Sequence, residues 1–340
     1  MIDAVQYRNF KALRDAVLPL SRLTVLIGPN GSGKSTAIEG IQLVAANIQT
    51  TVGIDLSRLI SANVESADAS PFSIRFRWSA PFNGLETRWE ASRTGAAGAG
   101  ITAQHVALPE GPPEPSGRIE LLDNVKKFRI YSFNASTIAE PVRLRERIEL
   151  AADGAGLAGV LDQLRDQEPE RFEQFNRDLV RWFPEFDRVL FRTPVEGHRL
   201  ILLRTRAGYA VPASALSHGT LLALALMTLG FLRETPPLFA IEEPERGIHP
   251  RLLTAIRDAL FRLAYPEEYG DDRPGRQIIV TSHSPYFLDL FRENPENVVL
   301  AHKESGDVRF ERLSDRPDME EILRDVHLGE AWYSGVLGGA

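Results

Sequence analysis

Leu23-Thr24-Val25-Leu26-Ile27 runs straight into Gly28-Pro29-Asn30-Gly31-Ser32-Gly33-Lys34-Ser35-Thr36, and no other stretch of the chain restricts the fold as tightly. Five apolar or β-branched residues ahead of a glycine read as a short strand buried on both faces. The following spacing, G-x-x-x-x-G-K-[ST], sets glycines where the backbone must turn with successive N–H groups aimed inward, an arrangement that receives anionic oxygens. Ala37-Ile38-Glu39 then open a helix, whose positive dipole end and free N–H groups add to the anion site. Gly28, Pro29, Asn30, Gly31, Ser32, Gly33, Lys34, Ser35 and Thr36 are thus the candidate phosphate-binding residues. Lys34 is expected to reach the β- and γ-phosphates of a nucleotide, and the Ser35 hydroxyl to ligate Mg2+. The strand before and the helix after distinguish this pattern from a chance match in a glycine-rich loop.

Composition narrows the remaining classes. With 340 residues, 43% hydrophobic and 25% charged, the chain can bury a large core as one big domain or two moderate ones. A net charge of −7 supplies no global field for nucleic acid, which leaves only local basic patches. There is no cysteine, so disulfides and thiolate metal sites, a cysteine zinc hook included, are excluded. The opening Met1-Ile2-Asp3-Ala4-Val5 has no basic-then-apolar leader pattern. The longest apolar run, Thr220–Leu232, is shorter than the roughly 20 residues that span a bilayer. A soluble, cytoplasmic protein without membrane contact is the expectation.

Ile2–Tyr7 and Ala16–Leu20 read as two pairing strands ahead of the glycine loop, and Ala37–Ile48 as an amphipathic helix. Ser57–Asp68 reads as helix and loop. Phe72–Trp78 alternates as a half-buried strand and pairs with Leu85–Ala91 across an Asn83-Gly84 turn, with Ile101–Leu108 a third candidate strand. Gly95–Gly100 and Pro109–Gly117 read as loops. Phe128–Phe133 returns as a strand. Leu157–Phe183 is helical in pattern and divided by Pro169. Val189–Phe191 and Arg199–Arg206 form a hairpin around Pro194–Gly197, and Ser217–Leu232 an apolar helix stopped by Pro236-Pro237. Leu238–Ile241 and Ile278–Thr281 are buried strands; Pro250–Leu263 and Pro285–Phe291 are helices opened by proline. Val298–Ala301 and Val308–Leu313 close the pattern as a strand pair, before a short helix at Met319–Val326.

Three later stretches narrow the chemistry. In Leu238-Phe239-Ala240-Ile241-Glu242-Glu243-Pro244 a buried strand ends in two carboxylates, at the edge where open parallel sheets bind ligands. Glu242 is placed to hold Mg2+, directly or through water, and Glu243 to orient or deprotonate the attacking water. The plainer possibility is a pair of surface acids at a turn. Ser217-His218-Gly219-Thr220 heads the apolar helix and offers free N–H groups to a phosphate, although Ser217 is equally readable as a simple helix cap. His283 directly follows the strand Ile278–Thr281 and Ser282, where an imidazole can meet a γ-phosphate or the attacking water, or serve only as a structural residue.

In this chain order the four stretches resemble the ABC-type ATPases of the SMC/RecF/OLD group, closest to small OLD-like ATPases. Asn9-Phe10-Lys11 resembles the "NF+" opening of those heads, and Glu243-Pro244-Glu245-Arg246-Gly247-Ile248-His249-Pro250 their "EPExxLHP" run. The resemblance implies a P-loop NTPase of α/β class: an ABC-type head with a mixed central sheet, an antiparallel β lobe and a short helical insertion. It implies ATP and Mg2+ as cofactors, Gly28–Thr36 as Walker A, and Glu242-Glu243 as Walker B with Glu243 catalytic. Leu216–Thr220 becomes the signature loop with Ser217 and Gly219 on the nucleotide, Gly247–His249 the D-loop region, and His283 the switch histidine. Two such heads sandwich two ATP molecules, the signature loop of one completing the site built on Lys34 of the other, as an isologous homodimer. The parts are expected at 1–134, 135–215 and 216–340.

Two departures stand out. Walker B ordinarily begins with Asp, and the longer Glu242 implies a metal contact through water. No glutamine follows the Phe128–Phe133 strand, so Asn134 is the candidate Q-loop substitute. Ala135–Ala215 is too short and irregular for the coiled coil of SMC proteins, and Ser284–Ala340 too short for the TOPRIM domain of OLD nucleases. The expectation is an ATPase head that controls a separately encoded effector, a nuclease or toxin of antiphage defence or DNA repair. A non-catalytic, ATP-dependent binding module is the competing class. Arg188, Arg192, Arg199, Arg204 and Arg206 on one hairpin are a possible DNA track, or merely a solvated charged face. Trp332-Tyr333 near the end are either core or partner contacts.

Overall fold

The computed structural model describes residues 1–47, 72–79, 86–91, 106–108, 121, 123–232, 234–304, 306–319, 322 and 327–337. The chain divides into two compact units, the first comprising Met1–Arg129, Pro236–Ala240 and Gly275–Ala340, the second Ile130–Thr235 and Ile241–Pro274.

In the first unit, β1 (Ile2–Phe10) and β2 (Leu13–Pro19) pair antiparallel, and Asn9 and Lys11 take left-handed φ values of 52° and 47° to make the tight turn. β3 (Leu23–Ile27) is buried at all five positions, as its unbroken apolar run requires. α1 (Lys34–Asn47) follows the glycine loop. β4 (Phe72–Trp78), β5 (Glu86–Ala91) and β6 (Val106–Leu108) extend the antiparallel sheet in the order β2-β1-β4-β5-β6. The chain leaves this unit within β7 (Arg129–Tyr131).

α1 packs on the antiparallel sheet at Gly40, where a Cβ would come within 2.7 Å of the Tyr7 ring and 3.1 Å of Phe10. The buried Tyr7 hydroxyl donates to Ala37 O at 2.7 Å, and burial pushes its pKa up. A second sheet runs β15-β14-β3-β13-β12, formed with β3 by β13 (Gln277–Ser282), β14 (Val298–Glu304) and β15 (Asp307–Arg312) of this unit and by β12 (Leu238–Glu242), which belongs to it as far as Ala240. β13 and β14 both run parallel to β3, whereas β15 runs antiparallel to β14, so the sheet is mixed as expected. The buried Gln277 side chain accepts from Ile2 N at 2.9 Å and donates to Ile2 O at 2.6 Å, joining the two sheets as a backbone ladder would.

The second unit opens with α2 (Ala135–Ile138) and β8 (Val142–Arg143). α3 (Leu157–Gln167) and α4 (Pro169–Trp182) meet at the proline that the sequence marks as a divider. α4 buries Phe172, Phe175, Leu179 and Trp182, a stripe at helical spacing. β9 (Phe186–Arg192) and β10 (His198–Thr205) form the hairpin, longer than its expected strands, with β11 (Ala210–Pro212) on the far side of β10. α5 (His218–Leu229) is buried from Ala223 through Leu229, and α6 (Leu253–Ala264) is preceded by a 3-10 turn, Pro250–Leu252. The expected helix at Pro250–Leu263 thus begins as a tighter turn, because Pro250 fixes φ and His249 caps only the Arg251 N–H.

The first unit also holds α7 (Pro285–Asp289) and α8 (Leu328–Tyr333). Trp332 in α8 is buried, as the core reading expects, and Tyr333 is exposed. Expectations for Ser57–Asp68, Gly95–Gly100, Pro109–Gly117, the Asn83-Gly84 turn, residues 101–105 and most of Met319–Val326 lie outside the described residues. Among the described residues no helix is long and apolar enough to cross a membrane.

Candidate nucleotide site

The glycine loop is shaped by what packs behind it. A Cβ at Gly28 would stand 2.1 Å from the Ala301 carbonyl of β14, and one at Gly33 2.9 Å from Val308 of β15. Gly31 and Gly33 take φ values of 75° and 93°, conformations that cost an L side chain about 1–2 kcal/mol. The β14–β15 hairpin therefore buttresses the loop from positions about 270 residues away, a support no local pattern near Gly28 announces. Ala37 N donates to Gly33 O at 2.9 Å, the first full turn of α1.

Lys34 is buried at 4% exposure, and its ammonium donates to Gly28 O at 2.7 Å and Pro29 O at 3.0 Å. Its charge is held by carbonyl dipoles inside the loop, which is where a phosphate oxygen would compete for it. Ser35 is exposed at the first turn of the helix, and Asn30 is exposed at the loop tip.

Ser282 pairs with Ile27 in the parallel register of β13 and β3. The next residues, His283 and Gly28, therefore leave neighbouring strands at the same sheet edge, and His283 is half-buried there. Ser282 Oγ accepts from Ser284 N at 3.0 Å, and Ser284 in turn caps α7 through Phe287 N at 3.2 Å. β12 enters the sheet beside β13, since Gln277 N donates to Pro237 O at 2.9 Å.

The second unit holds the remaining candidates. Glu242 is the half-buried last residue of β12. Glu243 takes φ 44°, a left-handed conformation rare for a residue with a Cβ. Its carbonyl accepts from Arg246 N at 2.9 Å, and its carboxylate lies 3.9 Å from the Arg246 guanidinium. Ser217 is exposed and caps α5, accepting from Thr220 N at 3.1 Å. The cap reading of Ser217 is met by its hydrogen bond, and the side chain is open to solvent. A Cβ at Gly219 would come within 2.6 Å of Gly247 O, so this unit brings the signature-like and D-loop-like stretches into contact. Asn134 uses its side-chain oxygen to cap α2, accepting from Ser136 N at 2.9 Å and Thr137 N at 3.3 Å.

The hairpin arginines behave unevenly. Arg204 forms a bidentate pair with Asp187 at 2.8 Å, which holds the Asp187 carboxyl below its usual range, and Arg199 binds the buried Asp162 at 2.8 Å. Two of the five are thus engaged in ion pairs, leaving Arg188, Arg192 and Arg206 as the exposed members.

The residues present suit a nucleoside triphosphate with Mg2+. Among the described residues no group of three or more His, Asp or Glu could hold a metal by itself. Mg2+ needs none when one or two protein oxygens share it with substrate phosphates.

A buried strand, a glycine-turned loop, a helix and a parallel neighbour strand followed directly by a histidine define a P-loop NTPase of ABC-type fold. Two family models match, one described as "AAA domain, putative AbiEii toxin, Type IV TA system" over residues 106–289 and one as "AAA ATPase domain" over residues 1–80. The chain belongs to the first of these families. It is 24% identical over 373 aligned residues to an OLD nuclease of Thermus scotoductus, covering 97% of this chain and 68% of that protein. Among solved structures it resembles the SmcHead bound to the C-winged helix domain of ScpA, at a TM-score of 0.61 and 16% identity, covering 94% of this chain and 99% of that one. The SMC head domain from Thermotoga maritima matches at 0.50 and 17%, covering 92% and 98%.

Proposed function

We infer that this chain is a cytoplasmic, Mg2+-dependent ATPase head that closes into an ATP-dependent homodimer and so controls a separately encoded effector, a nuclease or a toxin, in antiphage defence or DNA repair. The observation that carries the reading is the register pair Ser282–Ile27, which sets His283 beside the start of the phosphate loop. Bound ATP with Mg2+ supplies the electrophilic phosphorus and neutralises its developing charge. Lys34 turns from the Gly28 and Pro29 carbonyls to phosphate oxygens, and the loop N–H groups of Gly31–Ser35 receive the rest. Ser35 and Glu242 would each offer an oxygen to the cation; Glu243 would accept the proton of the attacking water, and His283 would hydrogen-bond the γ-phosphate or that water. Ser217 is exposed at the head of α5, with Gly219 two residues on, and there the pair would complete the nucleotide site of a second copy. The family description, with its toxin and TA system, and the relative named a nuclease support an effector and a defence setting. DNA contact is assigned to Arg188, Arg192 and Arg206, as salt-sensitive phosphate binding without sequence preference.

The test compares steady-state ATPase rates and oligomeric state for the wild type and Glu243→Gln. Turnover is expected to fall at least about a hundredfold while an ATP-bound dimer accumulates, because binding survives the loss of the base. Equal rates remove Glu243 from its role, and negligible wild-type turnover favours a binding module. Affinity capture of the native protein with and without ATP, returning no effector in either state, overturns the effector assignment.

A further inference from the structure

The helix that follows His283 does not stand alone. α8 (Leu328–Tyr333) packs on α7 (Pro285–Asp289), both in the first unit, and the contact is built for closeness. A Cβ at Gly329 would meet the Pro285 carbonyl oxygen at 2.5 Å and its carbon at 2.9 Å, so the two backbones touch in a way only glycine permits. Gly329 N also donates to Asp289 Oδ1 at 2.7 Å, closing the joint with a charge-assisted hydrogen bond. Leu328, Ala331 and Leu337 on one side and Phe287, Leu288 and Phe291 on the other are all buried to 1% exposure or less. Pro285 is two residues from His283, and the Ser282–Ser284–Phe287 hydrogen bonds run from the strand end to the helix on either side of the histidine.

We propose that Asp289 is a positioning residue for His283: by gripping Gly329 it pins α7 against α8, and so fixes the imidazole at the sheet edge where the phosphate loop begins. This rests on the nucleotide reading above and deepens it, naming the part of the chain that holds the histidine in place. The C-terminal stretch 327–337 then acts as a brace for the reaction, not as an appended tail. The role of Asp289 is to act through the helix, not on the reacting atoms.

The experiment measures turnover, nucleotide affinity and unfolding midpoint for Asp289→Ala, Asp289→Asn and Gly329→Ala, with His283→Ala and the His283→Ala/Asp289→Ala double variant. Asp289→Ala and Gly329→Ala are expected to lower kcat about tenfold, the scale of a small misplacement of a reacting group, with nucleotide affinity within about twofold of wild type. Asp289→Asn keeps an oxygen acceptor for Gly329 N and is expected to restore most of the rate. In the His283→Ala background, Asp289→Ala should add nothing, because the route it acts through is already gone. Full additivity in the double variant, or wild-type turnover in Asp289→Ala, overturns the proposal alone. Wild-type turnover in His283→Ala removes the histidine from the reaction and the proposal with it. A readout independent of turnover is amide exchange: Asp289→Ala should speed exchange over Ser282–Leu288 and leave Gly28–Thr36 unchanged, and equal exchange in both segments counts against it.

Discussion

Glu243 sits in a backbone conformation that its side chain disfavours, at φ 44°, with Glu242 before it and Pro244 after it. Left-handed backbone costs a residue with a Cβ about 1–2 kcal/mol, part of which glycine returns as extra freedom in the unfolded chain. Strain of this kind collects where a side chain must be aimed. Glu243→Gly is therefore expected to raise stability by about 0.5–1 kcal/mol in denaturant unfolding while removing turnover; a lower unfolding midpoint would reject the strain argument. Lys34 shows the opposite economy. Its ammonium is buried, but the Gly28 and Pro29 carbonyls stand in for solvent at 2.7 and 3.0 Å. The loop and the lysine thus keep each other ordered without any cost of an unsatisfied charge.

Elements in the second unit are tied by a buried charge cluster. Asp162 on α3 is 5% exposed by side chain; its Oδ2 accepts from Arg199 Nε of β10 at 2.8 Å, and its Oδ1 lies 2.9 Å from Arg165 Nη2 as an ion pair. Removing Asp162 leaves the half-buried Arg199 guanidinium without its carboxylate, which costs more than the pair contributed. Asp162→Ala is expected to lower unfolding stability by about 2 kcal/mol, discounted because Arg199 keeps 23% exposure, and an Asp162→Leu/Arg199→Leu pair to recover much of it. A change within about 0.5 kcal/mol, read from urea midpoints, would show that the cluster is only a solvated face. The same cluster explains why the arginine hairpin reads differently in sequence and in space. Counting charges along Asp187–Arg206 makes five arginines look alike, whereas Asp162 lies outside that segment and Asp187 faces Arg204 across the hairpin.

Across the whole molecule, Asp187, Asp271 and Asp318 each have a lowered pKa, chiefly from hydrogen bonds donated by Arg204, Arg273 and Arg316. A carboxylate with a lower pKa in the folded state contributes fully above its unfolded value near 3.9, and the contribution disappears as pH falls through the folded value. Urea midpoints should accordingly be flat from about pH 7 to 5 and fall below about pH 4; a midpoint that rises on acidification contradicts these pairings. The sequence by itself determined the phosphate loop, the strands that flank it, the break at Pro169 and the β14–β15 pair, because each is written in adjacent residues whose spacing or backbone limits leave little choice. It also placed Glu242, Glu243 and His283 at strand ends, since a buried apolar run that stops at a polar residue marks an edge. Only the tertiary structure decided that Ala301 and Val308 back Gly28 and Gly33, that Gly219 rests on Gly247, and that Asp289 grips Gly329. These contacts join residues that are tens to hundreds of positions apart, at distances set by packing two backbones together, and no periodicity or local spacing encodes a close approach of that kind.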